Sequence, residues 1–235
     1  MKTTTKMIWA MALFVCLLAC KKDSKIIYTS SGSLTITNAV MGGSALALDS
    51  LNFQSVAINN NSYKQVPLVA GVDSIDLFVP AVPTTLTTPG TPAVTYYDQP
   101  LTVNNNDNYS LFLTGASPGA VDNVLIKESY GVYSDSVCGV RFINLSTGSS
   151  PMSVDVMGMA NGSEVSSLAY KGYDNFIQHS AGIADVNTGI TFEIRDAETG
   201  TLLTTYTLSP PTFKNVTLAI SGSPVSPGII LVNNY

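Results

Sequence analysis

From Ser33 onward apolar residues recur at every second position, and no stretch carries the spacing of a sustained helix. Leu34-Thr35-Ile36-Thr37, Ser74-Ile75-Asp76-Leu77-Phe78-Val79 and Tyr109-Ser110-Leu111-Phe112-Leu113 alternate in this way. So do Val140-Arg141-Phe142-Ile143, Thr191-Phe192-Glu193-Ile194-Arg195 and Val216-Thr217-Leu218-Ala219-Ile220. A period of two gives each strand one apolar face, which must be covered by another sheet. Gly, Pro, Asn and Ser divide the runs at intervals of about 8–12 residues, the spacing of a sandwich or barrel. Asn161-Gly162 and Glu198-Thr199-Gly200 read as turns, because Asn and Gly tolerate positive φ.

The pattern occurs twice. Ile36-Thr37-Asn38-Ala39 corresponds to Ile143-Asn144-Leu145-Ser146, and Ser74-Ile75-Asp76-Leu77-Phe78 to Thr191-Phe192-Glu193-Ile194. Leu111-Phe112-Leu113-Thr114-Gly115 corresponds to Leu218-Ala219-Ile220-Ser221-Gly222, and Val124-Leu125-Ile126 to Ile229-Ile230-Leu231. Matches in one order at a nearly constant offset indicate tandem units. The expected fold is all-β: two tandem immunoglobulin-like antiparallel β-sandwich domains, at 33–130 and 137–235, following a lipoprotein signal peptide.

Val140-Arg141-Phe142-Ile143-Asn144-Leu145-Ser146, Val154-Asp155-Val156 and Leu168-Ala169-Tyr170-Lys171-Gly172-Tyr173 resemble the domain-of-unknown-function family 4397. Phe192-Glu193-Ile194-Arg195-Asp196 and Leu218-Ala219-Ile220-Ser221-Gly222 fit it too. The resemblance implies immunoglobulin-like sandwiches in a bacterial surface lipoprotein and supplies no catalytic residue. The first half departs from it, with Asn59-Asn60-Asn61-Ser62-Tyr63-Lys64 in place of the Tyr-Lys-Gly-Tyr motif.

The N-terminus carries an address. Lys2 and Lys6 form a positive start, and the uncharged run 7–18 is shorter than the roughly 20 residues a bilayer span needs. Leu17-Leu18-Ala19-Cys20 closes it as a lipobox. Residues 1–19 are expected to be a signal peptide. Cys20 is the expected lipid-attachment site, heading a tether at 20–32. Because one acyl chain holds only marginally, two or three make a durable anchor. Lys21-Lys22-Asp23 resembles the export tags of Bacteroidota lipoproteins, which implies the outer membrane and its external face.

Charge narrows the partners. The whole chain is at −5; two of its 11 Lys and Arg leave with the leader, so nine cations face 16 acids, a net −7. That balance excludes nucleic acid, whose phosphates need clustered cations. The expected partners are the membrane, through the lipid, and a glycan or an envelope protein. Of three cysteines, Cys16 leaves and Cys20 is acylated, so Cys138 has no disulfide partner and reads as a small core residue.

No residue pattern supplies a catalytic or metal centre, and no enzyme activity or cofactor is expected. His179 has no second histidine to share a metal, and reads as a strand-end side chain in a structural hydrogen bond. Asn104-Asn105-Asn106-Asp107-Asn108 reads as a hairpin turn and lacks the central Gly of a calcium loop. Asp73, Asp76, Asp155, Asp185, Glu193 and Asp196 show no spacing that predicts a glycosidase pair. Candidate ligand contacts are Tyr96, Tyr97, Tyr170 and Tyr173, since tyrosine joins an apolar face to a polar tip. Against this stands ordinary packing at strand ends and domain junctions. The uncharged, Pro- and Thr-rich loop 80–94 is a candidate contact surface, kept out of the ladders by its prolines. Ser50, Ser74 and Ser136 stand in Asp-Ser-aliphatic triplets that resemble O-glycosylation sites. Three function classes remain in order: a surface binding or adhesion module, a structural envelope lipoprotein with a protein partner, and a glycan-processing enzyme.

Overall fold

A computed structural model describes residues 31–50, 53–85, 87–133 and 136–234. The expected leader, Cys20 and nearly all of the tether lie outside the described residues. The first half runs β1 (Ser31–Val40), β2 (Leu46–Ser50), β3 (Phe53–Ile58), β4 (Ser62–Val69), β5 (Gly71–Val79), β6 (Val94–Val103), β7 (Asn108–Ser117) and β8 (Ala120–Lys127). The second runs β9 (Val137–Leu145), β10 (Met152–Val156), β11 (Val165–Leu168) and β12 (Ile177–Ser180). A one-and-a-half-turn helix, α1 (Ile183–Thr188), precedes β13 (Ile190–Asp196), β14 (Leu202–Leu208), β15 (Asn215–Ser223) and β16 (Ser226–Asn233). Among the described residues no helix is long and apolar enough to cross a membrane.

Each half is a sandwich. Sheet β4-β1-β7-β8 faces β3-β2-β5-β6, and β12-β9-β15-β16 faces β11-β10-β13-β14. The second order is the first with eight added to every label, so both halves share one topology. The sheets are not purely antiparallel as expected, because β1 runs parallel to β7 and β9 parallel to β15. A parallel pair needs a long crossover; here four strands of the opposite sheet, together with β4 or β12 of the same sheet, make up each connection.

Register corrects the repeat by one residue. Ile36 pairs with Leu111 and Phe142 with Leu218, all four facing their own cores. Ile36 is therefore equivalent to Phe142, not Ile143. Val124 pairs with Phe112 and Ile230 with Ala219, which makes Val124 equivalent to Ile230, not Ile229. A one-residue shift reverses the face of a strand, and Ile143 indeed faces away from the core that holds Phe142.

That second face decides how the halves meet. β1, β7, β9 and β15 are buried along almost their whole length, on both faces. Leu34, Ile36 and Val40 point into the first core, and Val140 and Phe142 into the second. On the reverse faces, Ala39, Phe112 and Ile126 of the first sandwich pack with Ile143, Leu145, Ala219 and Val232 of the second. The sandwiches thus stack through their β4-β1-β7-β8 and β12-β9-β15-β16 sheets. Thr35, Thr37, Ser110, Thr114 and Thr217 alternate with the core residues, yet all are buried in this contact. Thr114 Oγ1 donates across it to the Leu145 carbonyl at 2.6 Å.

Candidate functional site at the junction of the sandwiches

The junction is fixed by a buried ion pair. Arg141 projects from β9, and its Nη1 and Nη2 donate to Glu128 Oε2 and Oε1 at 2.8 and 2.6 Å. Both side chains are withdrawn from water, 3% and 1% exposed. Burying two charges is favourable only when their remaining hydrogen-bonding groups are also met. Thr217 Oγ1 accepts from Nε and Nη2 at 3.3 and 3.1 Å, and the Phe176 ring lies 4.5 Å from the guanidinium carbon. Thr217 Oγ1 donates to Asn234 Oδ1 at 2.9 Å, and Asn234 Nδ2 to the Tyr130 hydroxyl at 3.3 Å. The segment leaving β8 is thereby tied to the central strands of the second sandwich.

Beside this network a cleft of about 750 Å³ opens between the halves. Tyr63, Lys64 and Gln65 of β4 form one wall, and Phe213 and Lys214 of the β14–β15 loop form the other. Asn233 and Asn234 close the set, and Asn233 Nδ2 donates to the Tyr63 hydroxyl at 3.0 Å, linking the sandwiches there. The size is that of small-ligand sites, about 300–1,000 Å³.

Phe213 stands out in this lining. Its φ is +63°, in the left-handed region where a bulky side chain is strained, and the residue is 53% exposed. Surrounding bonds hold it there: Phe213 N–H donates to the Val137 carbonyl at 2.9 Å, and Gly139 N–H to the Lys214 carbonyl at 2.9 Å. Thr212 Oγ1 donates to the Ala181 carbonyl at 3.0 Å. Strain of this kind persists only where neighbours over-determine it, and it collects at functional sites.

Charge sets the cleft apart as well. The described residues include six cations. Lys127 pairs with Asp107 at 2.8 Å, Arg141 with Glu128, Lys171 with Asp122 at 3.1 Å, and Arg195 with Glu193 at 2.7 Å. Lys64 and Lys214 have no carboxylate partner among the described residues. Both line the cleft, and among the described residues no carboxylate does.

The tyrosine platform expected at Tyr96 and Tyr97 is not formed. Both rings lie in the first core, 7% and 8% exposed, and burial raises the pKa of each phenol. Leu77 pairs with Tyr97 and Phe78 with Thr95, so Tyr96 is the extra residue of a β-bulge. The bulge turns two successive side chains inward, where regular alternation would expose one.

Tyr170 and Lys171 sit at the domain junction. Lys171 Nζ contacts Asp122 Oδ1, and the Tyr170 hydroxyl accepts from Thr147 Oγ1 at 3.1 Å. Tyr173 is exposed and lies within 5.8 Å of the Arg141 guanidinium. The motif also has a counterpart in the first half that sequence did not reveal. Asn61 and Lys171 both have positive φ, and both donate through N–H to equivalent carbonyls, those of Asn38 and Asn144. Tyr63 then pairs with Thr37 as Tyr173 does with Ile143.

The remaining candidates are dispersed. Ser74 and Ser136 are exposed on different parts of the surface, while the side chain of Ser50, like Cys20, lies outside the described residues. His179 Nε2 stands 3.1 Å from Glu164 Oε2. Asp155 and Glu193 face each other across β10 and β13 beside Arg195, but Asp155 is fully buried and out of a substrate's reach. The 104–108 segment is a turn, with Asn104 N–H donating to Asp107 Oδ2 at 3.1 Å. It joins strands of opposite sheets, so it is not a hairpin. The described residues of loop 80–94 are exposed except for half-buried Gly90, and Val82 and Thr91 form a small antiparallel bridge despite the prolines. Among the described residues no group of three or more His, Cys, Asp and Glu could hold a metal ion.

Lys64, Lys214 and Phe213 escaped sequence reading because their significance lies in what they face. No spacing predicts that two lysines 150 positions apart share a cleft, and only the pairing of the other four described cations makes these two distinct. Compared with protein-family models and with curated proteins, the chain matches none of them.

Proposed function

We propose that this protein is a non-enzymatic binding module, tethered by acylated Cys20 to the outer membrane and facing outward. The cleft between the sandwiches carries this reading: it joins Lys64 and Lys214, which no described carboxylate pairs, with a strained exposed phenylalanine and several amides, and no described carboxylate lines it. The stacked sheets and the buried Glu128–Arg141 pair favour a fixed cleft, which lowers the ordering cost of binding. The lipobox ending at Cys20 and the Lys21-Lys22-Asp23 tag support the anchor and its destination.

Protease shaving of intact cells tests the placement, with Cys20→Ala as the unanchored control. The expected outcome is cleavage of the wild-type protein while periplasmic markers survive. Protection of the wild type alongside those markers would place the sandwiches inside the envelope and reject the outward-facing module.

A further inference from the structure

Resting on the binding reading, we propose that the cleft between β4 and the β14–β15 loop takes an acidic saccharide, one whose sugar rings carry carboxylate or sulfate groups. Three independent features converge there. Lys64 and Lys214 approach from different sandwiches and lack carboxylate partners among the described residues, in a chain whose overall charge is negative. An anion in the cleft meets two cations that no described carboxylate neutralises. Their exposed position keeps them hydrated and available, in contrast to the buried Arg141.

The second feature is aromatic. Phe213 is held at φ +63° and is 53% exposed, so the fold retains strain while an apolar side chain stands at the rim. The C–H face of a sugar ring suits such a surface. The third feature is the amides: Gln65 and Asn233 are exposed, and each offers both a donor and an acceptor to hydroxyl groups. A bare inorganic anion would use the lysines alone, and a neutral sugar would use only the aromatic ring and amides. An acidic saccharide uses all three.

The test is a titration of the full chain with three acidic saccharides (oligogalacturonate, sialyllactose and a heparin oligosaccharide), against maltoheptaose and poly-L-glutamate as controls. At least one acidic saccharide should bind, at least about tenfold tighter than either control, and added salt should weaken it because exposed charges are screened. Lys64→Ala and Lys214→Ala should each weaken binding about tenfold, the scale of a charged hydrogen bond. Both side chains are exposed, so melting temperature should hold.

Phe213→Gly separates binding from folding. Glycine accepts positive φ without strain, so the variant should melt no lower than wild type while losing affinity. Equal binding of poly-L-glutamate would reduce the cleft to a generic anion site, and equal binding of maltoheptaose would remove the role of charge. Either result overturns the proposal, as does failure of all three acidic saccharides or indifference of affinity to the three substitutions. Such a failure with shaving still positive rejects the ligand class and leaves the surface placement standing. Protection from protease with saccharide binding intact does the reverse.

Discussion

Glu128 and Arg141, thirteen residues apart, form a two-pronged ion pair inside the protein, where the chain passes from one sandwich to the next. Removing one partner leaves the other charge buried and unmet. Glu128→Ala is expected to cost about 3–5 kcal/mol. Because the pair lies in the contact between the halves, wild-type urea unfolding should be one transition by fluorescence and circular dichroism. Glu128→Ala should lower its midpoint or split it in two.

Asp174 gives stability an unusual pH slope. Burial pushes its carboxyl up to about 6, against the pull of the Phe142 N–H, which donates to Oδ1 at 2.6 Å, and of Arg141. The folded state therefore holds a proton that the unfolded chain releases near 3.8. With the folded value raised, this group's contribution is greatest below the unfolded value and falls as pH rises through about 6. Asp174→Asn keeps the acceptor for Phe142 and removes the charge. It should be more stable than wild type at pH 7, by about 1–3 kcal/mol. That gain should shrink toward pH 4.5, where Asp107, lowered to about 2 chiefly by Lys127, is still ionised. Thermal melts of both proteins at several pH values check this.

Asp49, Asp76 and Asp98 lie directly opposite one another on β2, β5 and β6. Desolvation first, then Asp98 and Asp49, raise the pKa of Asp76. Like charges across a ladder are destabilising by about 0.2–1 kcal/mol. Asp76→Asn should raise the melting temperature at pH 7 and leave it nearly unchanged at pH 3, where Asp76, its pKa raised, is itself protonated. In the second half the equivalent row holds Asp155 and Glu193 with Arg195 nearby, so Arg195→Ala should reproduce the repulsion there and lower stability.

Cys138 is fully buried, and burial pushes its thiol up to about 11. An aromatic disulfide reagent should leave it unmodified in the native protein, since the attacking species is the thiolate. After denaturation, protein isolated from membranes should show one thiol if Cys16 has been removed and Cys20 acylated. Unprocessed chain should show three.

The alternation of Leu34-Thr35-Ile36-Thr37 and its five counterparts determined the strands, and the repeat determined that two like units follow one another. Both are local properties: a period of two follows from strand geometry alone. Alternation identifies which face is apolar without saying whether the polar face meets water. Thr35, Thr37 and Arg141 carry the pattern of a solvated face, yet they are buried because a second sandwich covers them. A bulge at Tyr96 reversed the expected exposure of one tyrosine, and a single-residue slip paired Ile36 with the wrong counterpart. The lipobox proposed at Cys20 rests on sequence alone, because export signals act as linear segments. The cleft could not be read in that way. It exists because two sheets stack and bring β4 beside a loop that follows it by some 150 residues, and that proximity arises from packing between domains.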